Sequence, residues 1–114
     1  MSELQGIARW QIHADELEEF KRLSARCLEI VRTEDTGTLQ YETYFNDDES
    51  ECIVLERYRD SEALSEHLAH IGDLMGAILA TGSISGDLLG DASAELRAQL
   101  ADSGVGLFTP FQSM

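Results

Sequence analysis

The hydrophobic pattern of the chain predicts four main strands and two long helices in the order β-α-β-β-α-β. Short runs rich in β-branched and aromatic residues, or alternating apolar with polar positions, predict strands at 7–12, 39–45, 52–58 and 84–89. Apolar residues that recur every three or four positions predict helices at about 15–32 and 61–80. This order is the split βαβ, ferredoxin-like arrangement of the α+β class.

The C-terminal residues predict an addition to that core. Ser93 is a predicted cap for a short helix at 94–101, and a last short strand is predicted at 105–108. The chain has 114 residues, a usual single-domain length, with no internal repeat and no Ser/Gly-rich linker. We therefore expect a single domain over residues 1–114, with a core at about 6–90 and a C-terminal extension at about 91–114.

The third predicted strand is apolar on both faces in its middle. One face carries Cys52, Val54, Glu56 and Tyr58, and the other carries Ile53, Leu55 and Arg57. Two apolar faces are typical of a sheet that is covered on both sides. Helices would cover one side, and in a chain this short a second copy would most easily cover the other. The pattern therefore predicts a homodimer.

The charge balance excludes some partners. The net charge is −14, from 8 Lys and Arg residues against 22 Asp and Glu residues. Such a surface repels the phosphate backbone of nucleic acids and anionic membranes. The sequence also has no apolar run long enough for a transmembrane helix and no recognisable secretory signal at its start. We therefore expect no nucleic-acid or membrane partner and a cytoplasmic location.

The sequence offers little for a metal or cofactor. Cys27 and Cys52 are far apart and lack a C-x-x-C pattern, so we expect buried free thiols. His67 and His70 lie at i and i+3 and could contact one metal from one helical face, but no third ligand is obvious. No nucleotide-binding or flavin-binding motif is present. We therefore expect neither a metal nor a cofactor.

The stretch IVLERYRDSEALSEHL, residues 53–68, resembles the signature region of the antibiotic biosynthesis monooxygenase (ABM) superfamily. In that family an apolar strand ends in Glu-x-aromatic, an acidic corner follows, and the next helix presents a His. The residues that fit this pattern are Glu56, Tyr58, Asp60, Ala63, Leu64 and His67. The segments ARWQIHADELEEF and GTLQYETY also resemble the family, so the similarity covers roughly residues 6–90.

The resemblance implies a dimeric α+β barrel in which two sheets pack face to face, with a pocket between sheet and helices in each subunit. Family members include cofactor-independent oxygenases that act on quinols or polycyclic aromatics, and haem-degrading enzymes. This chain departs from the family at Tyr58, where a Trp is usual, and at Gly72, where a second His is common and His70 lies nearby. Arg9 and Trp10 stand where haem-degrading members would have an Asn, so haem degradation is disfavoured.

Two functions follow as hypotheses. The first is a cofactor-independent monooxygenase that acts on a small electron-rich aromatic such as a quinol, with His67 as the catalytic base. The candidate ligand-binding residues are Trp10, Tyr41, Glu56, Tyr58 and His70. The second is a non-catalytic module of the same fold for small-ligand binding or dimerisation.

Each candidate side chain also has a structural interpretation. His67 could bond Glu56 or a backbone carbonyl and hold its helix on the sheet. Glu56 could be a buried carboxylate paired with Arg9, Arg57 or His67, since a buried carboxyl must be paired or protonated. The three aromatic candidates could be core or interface residues.

Overall fold

The computed structural model describes residues 2–114 and has an α+β fold in which three α-helices accompany a five-stranded sheet. The elements are β1 (Leu4–Ile12), α1 (Leu17–Glu34), β2 (Thr38–Phe45), β3 (Glu51–Tyr58), α2 (Ser61–Leu79), β4 (Gly82–Leu89), α3 (Ala94–Gln99) and β5 (Gly106–Phe108), with a 3₁₀ turn at Ala14–Glu16 before α1. The predicted ferredoxin-like order is confirmed, and the element boundaries shift by only a few residues.

The strands form one mixed sheet in the order β2-β3-β1-β4-β5. β1 pairs antiparallel with both β3 and β4, so that Trp10 lies opposite Cys52 on one side and Ile84 on the other. β2 and β3 form an antiparallel hairpin, and β5 adds to the edge of β4 in parallel. The C-terminal extension therefore contributes a strand to the sheet of the core.

All three helices bury their apolar residues against the same face of the sheet. Phe20 of α1 and Ile78 of α2 pack with Trp10, while Leu96 of α3 packs with Leu4. Because successive strand residues point to opposite faces, the helix-facing positions of β1 and β3 are the buried ones.

The opposite face of the sheet has no helix over it among residues 2–114. Ile7 of β1 lies opposite Leu55 of β3 on this open face, and Ile53 lies opposite Tyr44 of β2. Ile7 and Tyr44 are exposed, and Ile53 and Leu55 are half-buried. Val54, by contrast, faces the helices and is buried. The open face is thus the surface for the second copy that the sequence predicts, and the homodimer stays a prediction.

Side chains cap the first turns of two helices within residues 2–114. Asp60 caps α2 by accepting a hydrogen bond from the amide of Ala63 at 2.9 Å, and Ser93 caps α3. Gly37 has no positive φ and so does not end α1 in the way its residue type suggests. A Cβ atom on Gly37 would lie 2.5 Å from the Cβ of Ala63, so the glycine is required because the chain passes close to α2.

Two further sequence features have a simple outcome. Cys27 and Cys52 are free and buried, as expected. None of the helices within residues 2–114 combines the length and hydrophobicity that a membrane span requires.

Candidate functional site

A cavity of about 570 Å³ lies between the sheet and the helices. Its floor is made of small residues: Gly6 and Ala8 on β1, with Gly86 paired beside Ala8 on β4. The helix-facing positions of β1 are large at the two ends, Leu4 and Trp10, and each end belongs to a separate hydrophobic cluster. The hollow exists because the middle of β1 has no side chain long enough to reach α2.

The cavity has the size and lining of a small-molecule site. Ligand sites in proteins usually span about 300–1,000 Å³ and are mostly apolar with a few convergent polar groups. The apolar wall from α2 consists of Leu64, Leu68, Ile71, Leu74, Met75, Ile78 and Leu79. The polar groups gather around His67, whose ring centroid lies 5.4 Å from that of Tyr58 and 5.7 Å from that of Tyr41.

His67 is held by a buried carboxylate that the sequence did not single out, Asp35. The His67 side chain is 3% exposed and that of Asp35 is 1% exposed, and His67 Nδ1 lies 2.8 Å from Asp35 Oδ2. Asp35 follows the last residue of α1 in an extended conformation. Thr38, at the start of β2, donates its hydroxyl to the same carboxylate oxygen at 2.7 Å.

Asp35 also binds His70, which lies one helical turn beyond His67 on α2. His70 Nδ1 is 2.6 Å from Asp35 Oδ1, and the His70 side chain is 26% exposed. Burial alone would raise the pKa of Asp35, but the hydrogen bonds from His70, Thr38 and His67 outweigh it and lower that pKa. The hydrogen bond to Asp35 is also the main reason that the pKa of His70 is raised. Asp35 is therefore an ionised carboxylate shared by two imidazoles.

The ionised state of Asp35 fixes the tautomer of His67. A carboxylate only accepts hydrogen bonds, so Nδ1 of His67 must carry the hydrogen, and in the neutral ring the lone pair is on Nε2. Nε2 has no hydrogen-bond partner within residues 2–114, and the ring lines the cavity. This arrangement would allow neutral His67 to accept a proton from a molecule bound in the cavity, with Asp35 positioned to stabilise the imidazolium.

Glu56 lies on the cavity wall next to this pair. It is half-buried, and the hydroxyl of Tyr58 donates a hydrogen bond to its Oε1. Burial raises the pKa of Glu56, and the hydrogen bond from Tyr58 and the nearby His67 reduce that rise without cancelling it.

The arginines considered as partners for Glu56 lie on the other side of the sheet. Arg9 pairs with Glu51 at 2.9 Å, and Arg57 pairs with Glu3 at 3.1 Å. Strand alternation explains this, because residues 9 and 57 point to the open face while residue 56 points to the helices. Glu56 is thus a carboxyl group without a cationic partner among the residues that the structure describes.

The other candidate ligand-binding residues fall into two groups. Trp10, Tyr41 and Tyr58 line the cavity together with His67 and Glu56. Tyr41 is held by a contact of 3.2 Å between its hydroxyl and the thiol of Cys27. His70 is not part of the cavity wall and reaches the site only through Asp35. The fold thus brings five of the six candidate residues to one cavity. Asp35, which the sequence did not indicate, binds the sixth candidate, His70, and also His67.

One group of side chains has the spacing of a metal site. Single ligand atoms of Asp35, Glu66 and His70 lie within 4.8 Å of one another. Each of these side chains already has a hydrogen bond within the protein, since His70 bonds Asp35 and Glu66 accepts from the amide of Thr36 at 2.7 Å. The hydrogen bonds account for the cluster, and a metal ion would have to displace them.

The comparison with protein families identifies one match. The model for the family described as "Antibiotic biosynthesis monooxygenase" matches residues 6–72, which contain most of β1, all of α1, the β2–β3 hairpin and the first part of α2. The matched segment therefore includes Asp35, Glu56, Tyr58 and both histidines of α2. No functionally curated protein matches the sequence.

Several solved structures share the fold. MupZ from Pseudomonas fluorescens is 25% identical with a TM-score of 0.88, and the match covers 98% of this chain and 88% of MupZ. Rv0793 from Mycobacterium tuberculosis is 22% identical with a TM-score of 0.71, covering 80% of this chain and 96% of Rv0793. SnoaB from Streptomyces nogalater, a cofactor-independent oxygenase, is 18% identical with a TM-score of 0.69, covering 82% of this chain and 97% of SnoaB. Likeness at these identities establishes the fold, and the match to MupZ includes the C-terminal extension.

Proposed function

The chain belongs to the antibiotic biosynthesis monooxygenase family, and from that premise we propose that it is a cofactor-independent monooxygenase. We propose further that its substrate is a small electron-rich aromatic molecule such as a quinol. The observation that carries the proposal is the His67–Asp35 pair at the wall of an apolar cavity, with the lone pair of Nε2 left for a ligand. The likeness to SnoaB supports an oxygenase of this type without indicating the substrate.

The proposed reaction begins with a proton transfer. Nε2 of His67 takes the proton of a substrate hydroxyl, and the Asp35 carboxylate stabilises the resulting imidazolium. The substrate anion is electron-rich enough to pass one electron to O₂, and the two radicals combine to form a C–O bond. For a phenol oxidised at a ring C–H, the overall change is substrate plus O₂ to quinone plus water, so the reaction needs no external reductant.

The cavity would favour this sequence by its shape and its polarity. Trp10, Tyr41 and Tyr58 offer aromatic surface on which a flat ring can rest. The apolar wall of α2 excludes water, which strengthens the interaction between the imidazolium and the substrate anion. The protein would therefore supply orientation, a base and a dry environment, while the substrate supplies the electrons.

The homodimer is part of the proposal. The open face of the sheet carries Ile7, Ile53, Leu55 and Tyr44, and in a dimer a second copy would cover them. Two sheets packed in this way would form the α+β barrel that the family resemblance implies. Each subunit would keep its own cavity, since the cavity lies on the helix-covered face.

The test measures oxygen uptake with a naphthoquinol, menadiol, after subtraction of the spontaneous rate without protein. We expect the wild-type protein to accelerate oxygen uptake and His67→Ala to remove that acceleration. General-base catalysis typically contributes 10²–10⁴-fold, so the loss should be at least about a hundredfold. His13→Ala is the matched control, because His13 is exposed and lies away from the cavity lining.

A second measurement separates the oxygenase from the non-catalytic module. Trp10 is the only tryptophan of the chain and lines the cavity, so its fluorescence reports occupancy of the site. If menadiol quenches Trp10 fluorescence in a saturable way but wild type and His67→Ala consume oxygen at the spontaneous rate, the protein binds ligands without oxidising them. That result would refute the oxygenase function and support the non-catalytic binding module.

A further inference from the structure

Glu56 carries a carboxyl group on the wall of the cavity. The ionisable groups that face this carboxyl come from all the elements around it. They are Tyr58 on the same strand, Tyr41 on β2, Cys27 on α1, Asp35 after α1, and His67 on α2. Of these only His67 can become a cation, and its Nδ1 is already committed to Asp35. The Asp35 carboxylate, in contrast, opposes a second negative charge at Glu56.

Such surroundings favour the protonated form of a carboxyl group more than water does. Removal from water disfavours the charged form, and no arginine or lysine among residues 2–114 compensates that loss at Glu56. Tyr58 donates to Oε1, so Oε1 has the role of the carbonyl oxygen. The proton of the neutral acid is then on Oε2, and Glu56 is one of the residues that line the cavity.

We propose that Glu56 is the general acid of this site and that the substrate carries an oxygen atom that accepts a hydrogen bond from it. The cavity would thus hold two groups with opposite proton roles: the base His67, oriented by Asp35, and the acid Glu56, which lies in the cavity wall without a cationic partner among residues 2–114. The substrate class becomes narrower than an electron-rich aromatic. It is an aromatic molecule with an ionisable hydroxyl group for His67 and a second position at which an oxygen atom is present or is formed.

The reaction step rests on the proposed oxygenase function and conserves every proton and electron. After the C–O bond forms, the peroxide anion takes the proton of Glu56 and becomes a hydroperoxide. The C–H proton on the same carbon then returns to the Glu56 carboxylate, and the electron pair of that C–H bond forms the carbonyl as the O–O bond breaks. The departing hydroxide takes the proton held by His67 and leaves as water, so both residues return to their starting states.

The protonation state of Glu56 is tested without any substrate. Infrared difference spectra at pH 7 compare wild type with Glu56→Gln, a substitution of the same shape that lacks a titratable proton. We expect the carbonyl band of a protonated carboxyl group in wild type, lost in Glu56→Gln and retained in the control Glu42→Gln, whose carboxylate is on the open face of the sheet. If only carboxylate bands change in Glu56→Gln, Glu56 is ionised and the proposal is overturned.

The hydrogen bond to a ligand oxygen is tested with two matched probes, 1-tetralone and tetralin, which differ by one carbonyl oxygen. Trp10 fluorescence gives their dissociation constants in wild type, Glu56→Gln and Glu56→Met. A hydrogen bond of ordinary strength predicts that the preference for 1-tetralone falls about three- to tenfold in Glu56→Met and persists in Glu56→Gln, whose amide still donates. An unchanged preference in Glu56→Met contradicts a donor at this position.

The catalytic part has its own readout in the menadiol assay. Glu56→Gln keeps a hydrogen-bond donor but has no proton to deliver, so oxygen uptake should continue while hydrogen peroxide replaces water as the reduced product. Full coupling of oxygen uptake to product in Glu56→Gln would remove Glu56 from the reaction and leave the oxygenase in place. Conversely, wild type could be inactive with menadiol and still show a protonated Glu56 and a preference for 1-tetralone. That result would refute the oxygenase function and leave Glu56 as a protonated hydrogen-bond donor to the ligand.

Discussion

Replacing Asp35 by Asn separates the charge of this carboxylate from its shape. The side chain is 1% exposed and accepts three hydrogen bonds, from Thr38, His67 and His70. Asn has one acceptor oxygen where Asp has two, and its amide nitrogen is a donor. At least one of the two imidazoles must therefore turn or change tautomer to avoid placing two N–H groups against each other.

The expected loss of stability follows from these contacts. A hydrogen bond to a charged, buried group contributes about 1.5–3 kcal/mol, and Asn keeps part of the set. We expect the free energy of unfolding to fall by about 2–4 kcal/mol in Asp35→Asn. For a domain of this size that corresponds to a decrease of roughly 10 °C in Tm. Asp73→Asn, on the exposed side of α2, is the matched control and should leave Tm unchanged.

The difference in unfolding free energy between wild type and Asp35→Asn should depend on pH. The pKa of Asp35 is lowered below its ordinary value of 3.8, so its contribution is present above that value and disappears as the pH falls through the lowered pKa. The pKa of His70 is raised above 6.5, so its contribution is complete below 6.5 and disappears as the pH rises through the raised pKa. The difference in unfolding free energy between wild type and Asp35→Asn should therefore be largest between pH 3.8 and 6.5.

The tautomer of His67 is the property that tests the role of Asp35 most directly. Nitrogen-15 NMR of the imidazole rings should place the hydrogen of neutral His67 on Nδ1 in wild type, as the hydrogen bond to Asp35 requires. In Asp35→Asn the amide can donate to Nδ1, which moves the hydrogen to Nε2 and removes the base from the cavity. Chemical denaturation supplies the stability of both proteins from pH 3 to 9. A variant with unchanged stability and an unchanged His67 tautomer would refute the role assigned to Asp35.

Four further substitutions test other parts of the structure. Gly72→Ala should stabilise α2 by about 0.5–1 kcal/mol, because no atom lies within 4 Å of the added methyl group, whereas Gly37→Ala should destabilise by clashing with Ala63. Thermal unfolding of the two variants checks this, and shifts of the same sign would be contrary to it. Leu55→Asp, on the open face, should convert a dimer into a monomer in sedimentation experiments, and an unchanged mass would exclude that face. Ala8→Met should occupy the hollow and weaken 1-tetralone binding more than tenfold without loss of Tm; unaltered binding would place the ligand elsewhere.

The fold was readable from the sequence because its signals are local. Strand alternation and helical periodicity record which side chains face the core, and Asp60 and Ser93 cap helices through amides three residues away. Asp35 has no such signal. Its partner His67 is 32 residues distant, and the sequence around it is an ordinary helix end. The role of Gly37 is also a matter of tertiary approach, since the residue it must avoid belongs to another helix.

The cavity itself could not be predicted for a related reason. Ala8 fits a strand pattern and Gly6 precedes the predicted strand, so neither residue marks a hollow, and only the pairing of β1 with β4 places Gly86 beside Ala8. A hollow arises when small residues from separate segments become neighbours, which periodicity within one segment does not reveal. The candidate aromatic residues could be named from the sequence, but the space between them is a property of the sheet register.

In the proposed mechanism a base and an acid lie in the wall of the same cavity. His67 and Glu56 share a cavity wall, and in water two such groups would exchange a proton and form an ion pair. Here the hydrogen-bond acceptor for His67 is Asp35, at the junction of α1 and β2, and the donor for Glu56 is Tyr58 on its own strand. A negative charge at Asp35 makes ionisation of Glu56 unfavourable while it stabilises a positive charge on His67. In the proposed mechanism the Asp35 carboxylate favours both proton roles and adds to the larger effect of burial on Glu56, which ties the chemistry of the site to the position where the first helix ends.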